Sequence, residues 1–268
     1  VLIRVDGDVL VQVAQVGIRK LRVGGTRLRS SEMEPSAKLM VGSYESIAIR
    51  IWPHFVRIIA KKYPGISISL KTDCDGEMFQ KLLLASTLDL VVTISSRNHP
   101  QLTKRKLCTD SFGVYAAPEL LRAKLVAASA SIADLHRVPL VLVPTAQTGD
   151  GQTLERLAWE NHFVGRQQIY ELDSFEAAKE FMIEGIGVGL LPKWVATASV
   201  RNGSLRELKL KDVPAGKPLG VHSLYATFRK EDHADSSLQA LVTEAEALLN
   251  PQSSGKRYGS PPLAKNLK

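Results

Sequence analysis

Ser43-Tyr44-Glu45-Ser46 sits at a strand-to-helix turn, where hydroxyls beside the unpaired amides of a helix N-terminus form a ready seat for an anion. Helix capping alone accounts for Ser43 equally well. Similar polar groups follow other strand-like runs: Thr93 and Ser95 after one, Thr145 with Gln147 and Thr148 after another, and Ser174, next to Asp173, where a helix opens. Ligands of parallel α/β sheets bind outside the carboxyl ends of the strands. If two α/β lobes face each other, these groups line one crevice, each either as a cap or as a ligand contact.

Catalysis has no comparable support. The six histidines, His54, His99, His136, His162, His222 and His233, form no HxH, HExxH or His-carboxylate cluster, and no serine lies in a GxSxG elbow. Asp73 and Asp75 flank Cys74 ahead of Gly76 and read as turn and helix-cap chemistry. Gly185-Ile186-Gly187-Val188-Gly189 has GxGxG spacing after a helix and before a strand, whereas a dinucleotide fingerprint needs GxGxxG where a strand opens into a helix. A tight helix-to-strand turn with positive φ explains these glycines. Cys74 and Cys108 stand far apart without CxxC or Cys/His spacing, so neither a disulfide scaffold nor a zinc site is supported. The expectation is a chain with no catalytic residues, no metal and no cofactor.

The elements that must position the polar groups alternate. Leu39-Met40-Val41-Gly42 predicts a strand, and Ile47, Ile51, Phe55, Ile58 and Ile59 follow a helical period that ends at Tyr63-Pro64-Gly65. Ile66, Ile68 and Leu70 alternate with polar residues as a half-buried strand, residues 78–84 read as a short helix, and residues 88–94 as a buried strand. This β-α-β-α-β order implies a parallel sheet with right-handed crossovers. Phe112-Gly113-Val114-Tyr115-Ala116-Ala117-Pro118 is a further strand. A second α/β set opens at Leu140-Val141-Leu142-Val143. It continues through a helix around Trp159, a strand at 169–172, a helix carrying Phe175, Ala178, Met182 and Ile186, and a strand at 188–191. A strand at 219–228 and an amphipathic helix carrying Leu238, Leu241, Val242, Ala245, Leu248 and Leu249 close the fold. Ahead of it all, Leu10, Ala14, Gly17, Ile18 and Leu21 make a narrow apolar seam that fits a linker or dimerising helix, with a hinge at 24–36 set by Gly24-Gly25 and Pro35.

The chain has 268 residues, 44% apolar and 23% charged, a composition that excludes disordered and fibrous classes. No apolar run approaches the roughly 18 residues that cross a bilayer. The net charge of +8 suggests nucleic acid until its distribution is read. Residues 1–38 carry seven basic against four acidic side chains and residues 251–268 four against none, which leaves 24 basic and 23 acidic residues on 39–250. The body is nearly neutral, and it presents no broad DNA-binding face. The Ser-, Gly- and Pro-containing tail from 251 is expected to be disordered. The chain opens on Val1-Leu2-Ile3-Arg4 with neither an initiator Met nor the zones of a signal peptide, so a fragment or a processed start is expected.

Across about 37–250 the sequence resembles the effector-binding domain of LysR-type transcriptional regulators. The resemblance lies in Leu39-Met40-Val41-Gly42 with the helix ending Tyr63-Pro64-Gly65, in Leu88-Asp89-Leu90-Val91-Val92, and in the 112–118 strand. It is most specific in Glu184-Gly185-Ile186-Gly187-Val188-Gly189-Leu190-Leu191-Pro192. Val1-Leu2-Ile3-Arg4 and Val13-Ala14-Gln15-Val16-Gly17 look like the family's wing end and linker-helix start. The resemblance implies an α/β fold like the type 2 periplasmic binding proteins, two-lobed with two crossovers and preceded by a partial linker helix. Its parts would be a wing remnant and linker helix at 1–36, lobe I at about 37–113 and 219–250, lobe II at about 114–218, and a basic tail at 251–268. It further implies a cytoplasmic sensor that forms a homodimer or homotetramer, with a DNA-reading winged helix-turn-helix N-terminal to residue 1. Carried over position by position, the effector-binding residues are Ser43, Tyr44, Thr93, Ser95, Thr145, Gln147, Ser174 and Phe175. Tyr44 stands where the family often has a smaller residue.

The expected activity is therefore sensing of a small polar or anionic metabolite, which shifts the populations of lobe arrangements and so acts on distant DNA-binding heads. The alternative is a periplasmic solute-binding protein of a transporter, which shares fold and cleft. An enzyme on this fold would need an acid, base or nucleophile in the cleft, where the candidates are mostly hydroxyls and amides.

Overall fold

A computed structural model of the chain describes residues 36–94, 98–131, 134–135, 138–143, 168–212 and 219–249. The expected linker helix, the helix around Trp159 and the basic tail lie outside them.

The first lobe begins with β1 (Ala37–Ser43), α1 (Glu45–Arg50), α2 (Trp52–Lys62), β2 (Ile66–Lys71), α3 (Gly76–Leu84) and β3 (Leu90–Thr93). Both β2 and β3 pair with β1 in parallel, as the β-α-β-α-β pattern implies. β3 is buried along its whole length, which matches its unbroken apolar run, whereas the alternating β2 is an edge strand with Leu70 exposed. The single helix expected over residues 47–59 is two, because the chain turns at Ile51 and Pro53, in the first turn of α2, has no N–H for a continuous ladder. Gly42 lets β1 pass under α3: a Cβ there would stand 2.6 Å from the Phe79 ring.

The chain then crosses on β4 (Leu102–Ala116), a strand of 15 residues that belongs to both lobes. The second lobe adds α4 (Pro118–Arg122), β5 (Ser129–Ala130), β6 (Leu140–Leu142), β7 (Ile169–Glu171), α5 (Phe175–Ile183), β8 (Val188–Pro192), α6 (Lys193–Arg201) and β9 (Arg206–Leu210). The return strand β10 (Val221–Arg229) and α7 (Ser236–Leu249) go back to the first lobe. Along the sheet the order is β2-β1-β3-β10-β4-β8-β6-β7, with β9 on β4 and β5 on β9. From Leu102 to Ser111 β4 pairs antiparallel with β10, and from Phe112 to Ala116 with β8 and β9. The fold is thus two α/β lobes joined by two crossover strands that lie side by side.

In the 185–189 run only Gly185 has positive φ, +71°. Gly187 and Gly189 answer a different need, close backbone approach: Cβ atoms there would stand 2.4 Å from the carbonyl oxygens of Pro139 and Val141. Among the described residues no helix is long and apolar enough to cross a membrane.

Candidate functional site

Two contacts bridge the lobes at the mouth of the crevice. Ser174 caps α5, its Oγ accepting from the amides of Glu176 at 3.2 Å and Ala177 at 3.4 Å, and the same hydroxyl donates to Glu45 Oε2 at the start of α1. From the last residue of α1 to the first turn of α5, Arg50 donates through Nε (2.9 Å) and Nη2 (2.6 Å) to the two oxygens of Glu176. Lys179, its side chain only 7% exposed, adds a third bond to Glu176 at 2.5 Å. Burial works to raise the Glu176 pKa, but the bonds from Arg50 and Lys179 outweigh it and hold this carboxyl below its ordinary value. A bidentate Arg pair with a buried Lys behind it is a geometrically exacting link.

Behind the mouth lies a cavity at the hinge. Ile51 and Ile94 come to it from the first lobe, Trp194 from α6 of the second, and Cys108, Asp110, His222 and Leu224 from the two crossover strands. His222 and Asp110 are direct partners across β10 and β4. His222 Nε2 stands 3.9 Å from Asp110 Oδ2, too far for a hydrogen bond. The carboxylate instead caps α6, with Oδ2 accepting from the Trp194 amide at 3.2 Å. Burial pushes the Asp110 pKa up, against the bonds it accepts from backbone amides; it pushes the Cys108 thiol up to about 12 and His222 down to about 4. His222 is therefore neutral and Cys108 a thiol at physiological pH. Two buried polar atoms of this lining, Trp194 Nε1 and His222 Nδ1, have no hydrogen-bond partner among the described residues. An aromatic row connects hinge and mouth, the Phe112 ring lying 4.6 Å from His222 and 6.2 Å from Phe175, next to Ser174. The described residues hold no cluster of three or more His, Cys, Asp or Glu that could bind a metal.

The model of the LysR substrate binding domain matches residues 33–249. The chain belongs to the LysR substrate-binding domain family. Its relatives include the HTH-type transcriptional regulators YwqM of Bacillus subtilis, 26% identical over 70% of this chain, and BbuR of Bordetella bronchiseptica, 25% identical over 77%. The chain spans 64% of the length of the first and 62% of the second. Among solved structures, the regulatory domain of CrgA, a LysR-type transcriptional regulator from Neisseria meningitidis, shares the fold. Its TM-score is 0.62 at 18% identity, over 80% of this chain and 100% of that one.

Within this LysR substrate-binding domain the eight residues carried over from the resemblance have separate situations. Ser43 is fully buried; its hydroxyl donates to Val92 O at 3.1 Å and accepts from Trp52 Nε1 at 3.1 Å, so it ties β1, β3 and α2 together and does not cap α1. Tyr44 packs on Phe79, ring centroids 5.9 Å apart, beside Gly76 of α3. Thr93 is buried on β3 opposite Tyr225. Ser174 reaches α1 across the crevice through its bond to Glu45, and Phe175 packs on Phe112, ring centroids 6.2 Å apart. Ser95, Thr145 and Gln147 lie outside the described residues. None of the five described ones is among the residues that line the hinge cavity. Of the polar residues that do, Asp110 and His222 lie inside strands β4 and β10, and a titratable side chain within a strand-like run was the signal the sequence offered for them.

Proposed function

We propose that this chain is the effector-sensing and oligomerising part of a LysR-type DNA-binding transcriptional regulator that works in the cytoplasm and takes a small polar metabolite between its lobes. The observation that carries this reading is the hinge cavity, because both lobes and both crossover strands contribute to it and two of its lining residues, Trp194 and His222, each hold a buried nitrogen without a partner. A polar ligand that satisfies them would prefer one lobe arrangement over another, and differential affinity of that kind is what a sensor needs. Hydroxyl and helix-terminal groups at the mouth, Ser174 foremost, would exchange Glu45 for the ligand. The family's relatives named above are regulators, which favours a sensor over the transport receptor that shares its fold, and over an enzyme. A winged helix-turn-helix N-terminal to residue 1 would supply the DNA contacts.

Oligomerisation would use the two ends of the sheet. The edge strand β7 is exposed at all three positions, with Ile169 and Tyr170 open to solvent, and the opposite edge β2 exposes Leu70. A two-fold axis can bring both edges of one copy against those of another.

The test is a thermal-shift screen of the chain against a panel of amino acids, hydroxy acids, sugars and phenols, followed by titration of each hit into Ser174→Ala and Trp194→Phe. Ligand stabilisation that falls about tenfold or more in apparent affinity in either variant supports the cleft. A hit that binds both variants as tightly as the parent chain places its site elsewhere and sinks the reading.

A further inference from the structure

The charges that meet at the mouth of the crevice are shared unequally between the lobes. Among the described residues, every hydrogen bond and ion pair of the Arg50 guanidinium goes to Glu176, and the other carboxylate that acts on it electrostatically, Glu180, also belongs to α5. Glu45 likewise bonds to Ser174 in the second lobe. Neither of these two side chains has a described partner in its own lobe. The second lobe supplies its own groups. Glu176 has Lys179 at 2.5 Å one turn along the same helix, Lys179 also pairs with Glu180 at 3.0 Å, and Ser174 Oγ caps α5 through the amides of Glu176 and Ala177.

This inequality sets what it takes to part the lobes. Taking one member out of a buried ion pair leaves the other charge in the interior without compensation, which is strongly unfavourable. Here the parting leaves no such charge. Glu176, its side chain 11% exposed, stays beside the buried Lys179 ammonium, while Glu45 is already exposed and Arg50, at 20%, has only to turn into solvent. When the lobes meet, the same Arg50 gains two parallel charge-assisted bonds to one carboxylate, a geometry that is both strong and exacting in position.

From this asymmetry we infer that the Arg50–Glu176 pair is a reversible latch, which on its own favours the lobe arrangement seen here and which lets go without stranding a buried charge. Arg50 is the part that moves and α5, with Lys179 behind Glu176, is the fixed keeper. The latch acts on the lobe equilibrium whatever the crevice takes, so it stands or falls separately from the metabolite screen.

The test is a distance measurement between two spin labels by pulsed electron resonance, one on Cys74, in the loop between β2 and α3, and one on Lys209→Cys, at an exposed position of β9. Cys108, whose thiol burial pushes up to about 12, stays unlabelled. Labelled chain is diluted in unlabelled chain so that only distances within one molecule are read. The parent is compared with Arg50→Gln, with Lys179→Met, and with Lys62→Gln, which removes a 2.6 Å ion pair to Glu244 inside the first lobe. In Arg50→Gln the population at longer distance should rise about fivefold, with the circular dichroism of the folded chain retained. Lys62→Gln should superimpose on the parent. Lys179→Met should not lengthen the distance, because release would then leave Glu176 without a countercharge. An Arg50→Gln distribution equal to that of the parent overturns the inference, since the crossover strands and packing would then hold the lobes by themselves. Loss of the folded spectrum in Arg50→Gln overturns it too, by making the pair a fixed part of the fold, and a Lys179→Met chain that opens as far as Arg50→Gln removes the asymmetry on which the latch rests.

Discussion

Lowering the pH should weaken this domain through one residue. His222 is 5% exposed, and burial pushes its pKa from the ordinary 6.5 to about 4. The unfolded chain therefore binds a proton at this position through the whole window from about pH 6.5 to 4 while the folded chain does not, so folding loses stability as pH falls. With these two values the loss between pH 7 and pH 5 is about 2 kcal/mol. Asp110 acts with the opposite sign, since its raised pKa means that its burial is relieved when it takes up a proton, and it offsets His222 only at the acid end. The assay is urea unfolding at pH 7 and pH 5, followed by far-ultraviolet circular dichroism, on the parent chain and on His222→Gln, which keeps a polar side chain without the titration. The other five histidines are common to both proteins and cancel in the difference. The parent should lose about 2 kcal/mol more than the variant between the two pH values. Equal losses would refute the reasoning, because they would mean that His222 is already charged and paired with Asp110 in the folded state.

Three other substitutions test separate parts of the structure. Ser43→Ala leaves the Trp52 indole N–H and the Val92 carbonyl without their buried partner and should cost about 1 to 3 kcal/mol in urea unfolding; a neutral result would show that the hydroxyl is dispensable to the tie between β1, β3 and α2. Glu176→Gln removes the carboxylate shared by Arg50 and the buried Lys179 and should cost about 2 to 3 kcal/mol, with small-angle scattering showing a larger radius of gyration as the lobes part. An unchanged radius would mean that the pair does not hold the lobes together. Gly187→Ala should cost about 2 kcal/mol or more and exceed Gly185→Ala, because its Cβ meets the Pro139 carbonyl at 2.4 Å whereas at Gly185 the nearest atom is 3.9 Å away and only the positive φ opposes alanine; thermal melts that rank the two in the reverse order would contradict this.

The sequence made local periods legible and non-local pairings not. β2 and β3 differ in their apolar pattern because one is an edge and the other is covered on both faces, and the two α/β sets follow from that kind of pattern repeated. The crossover strand was visible only in its apolar half. From Leu102 to Asp110 it reads Leu-Thr-Lys-Arg-Lys-Leu-Cys-Thr-Asp, whose charges are accommodated because Arg105 pairs with Glu246 of α7 and Lys104 lies over the Tyr225 ring. That neighbour arrives from far along the chain. For the site, the pattern of hydroxyls after strands led to the mouth of the crevice, where Ser174 does bridge to Glu45. It gave no hint of the hinge, since His222 meets Asp110 only through the register of β10 on β4, which no local period reports.

The position of that pair decides what a ligand there could accomplish. Both crossover strands pass from lobe to lobe beside the cavity, and the last backbone bond between them, from the Phe112 amide to the Gly220 carbonyl at 3.1 Å, marks where they part. Any rotation of one lobe on the other must be absorbed within a few residues of Asp110 and His222. In an arrangement that admits water, Trp194 Nε1 and His222 Nδ1 are solvated; in the bridged arrangement they are buried without partners, at about 1 to 3 kcal/mol each. Turning a two-state population fully over takes about 5.5 kcal/mol of differential affinity. Two such groups satisfied at once would supply part of that figure, and apolar contacts would have to supply the rest.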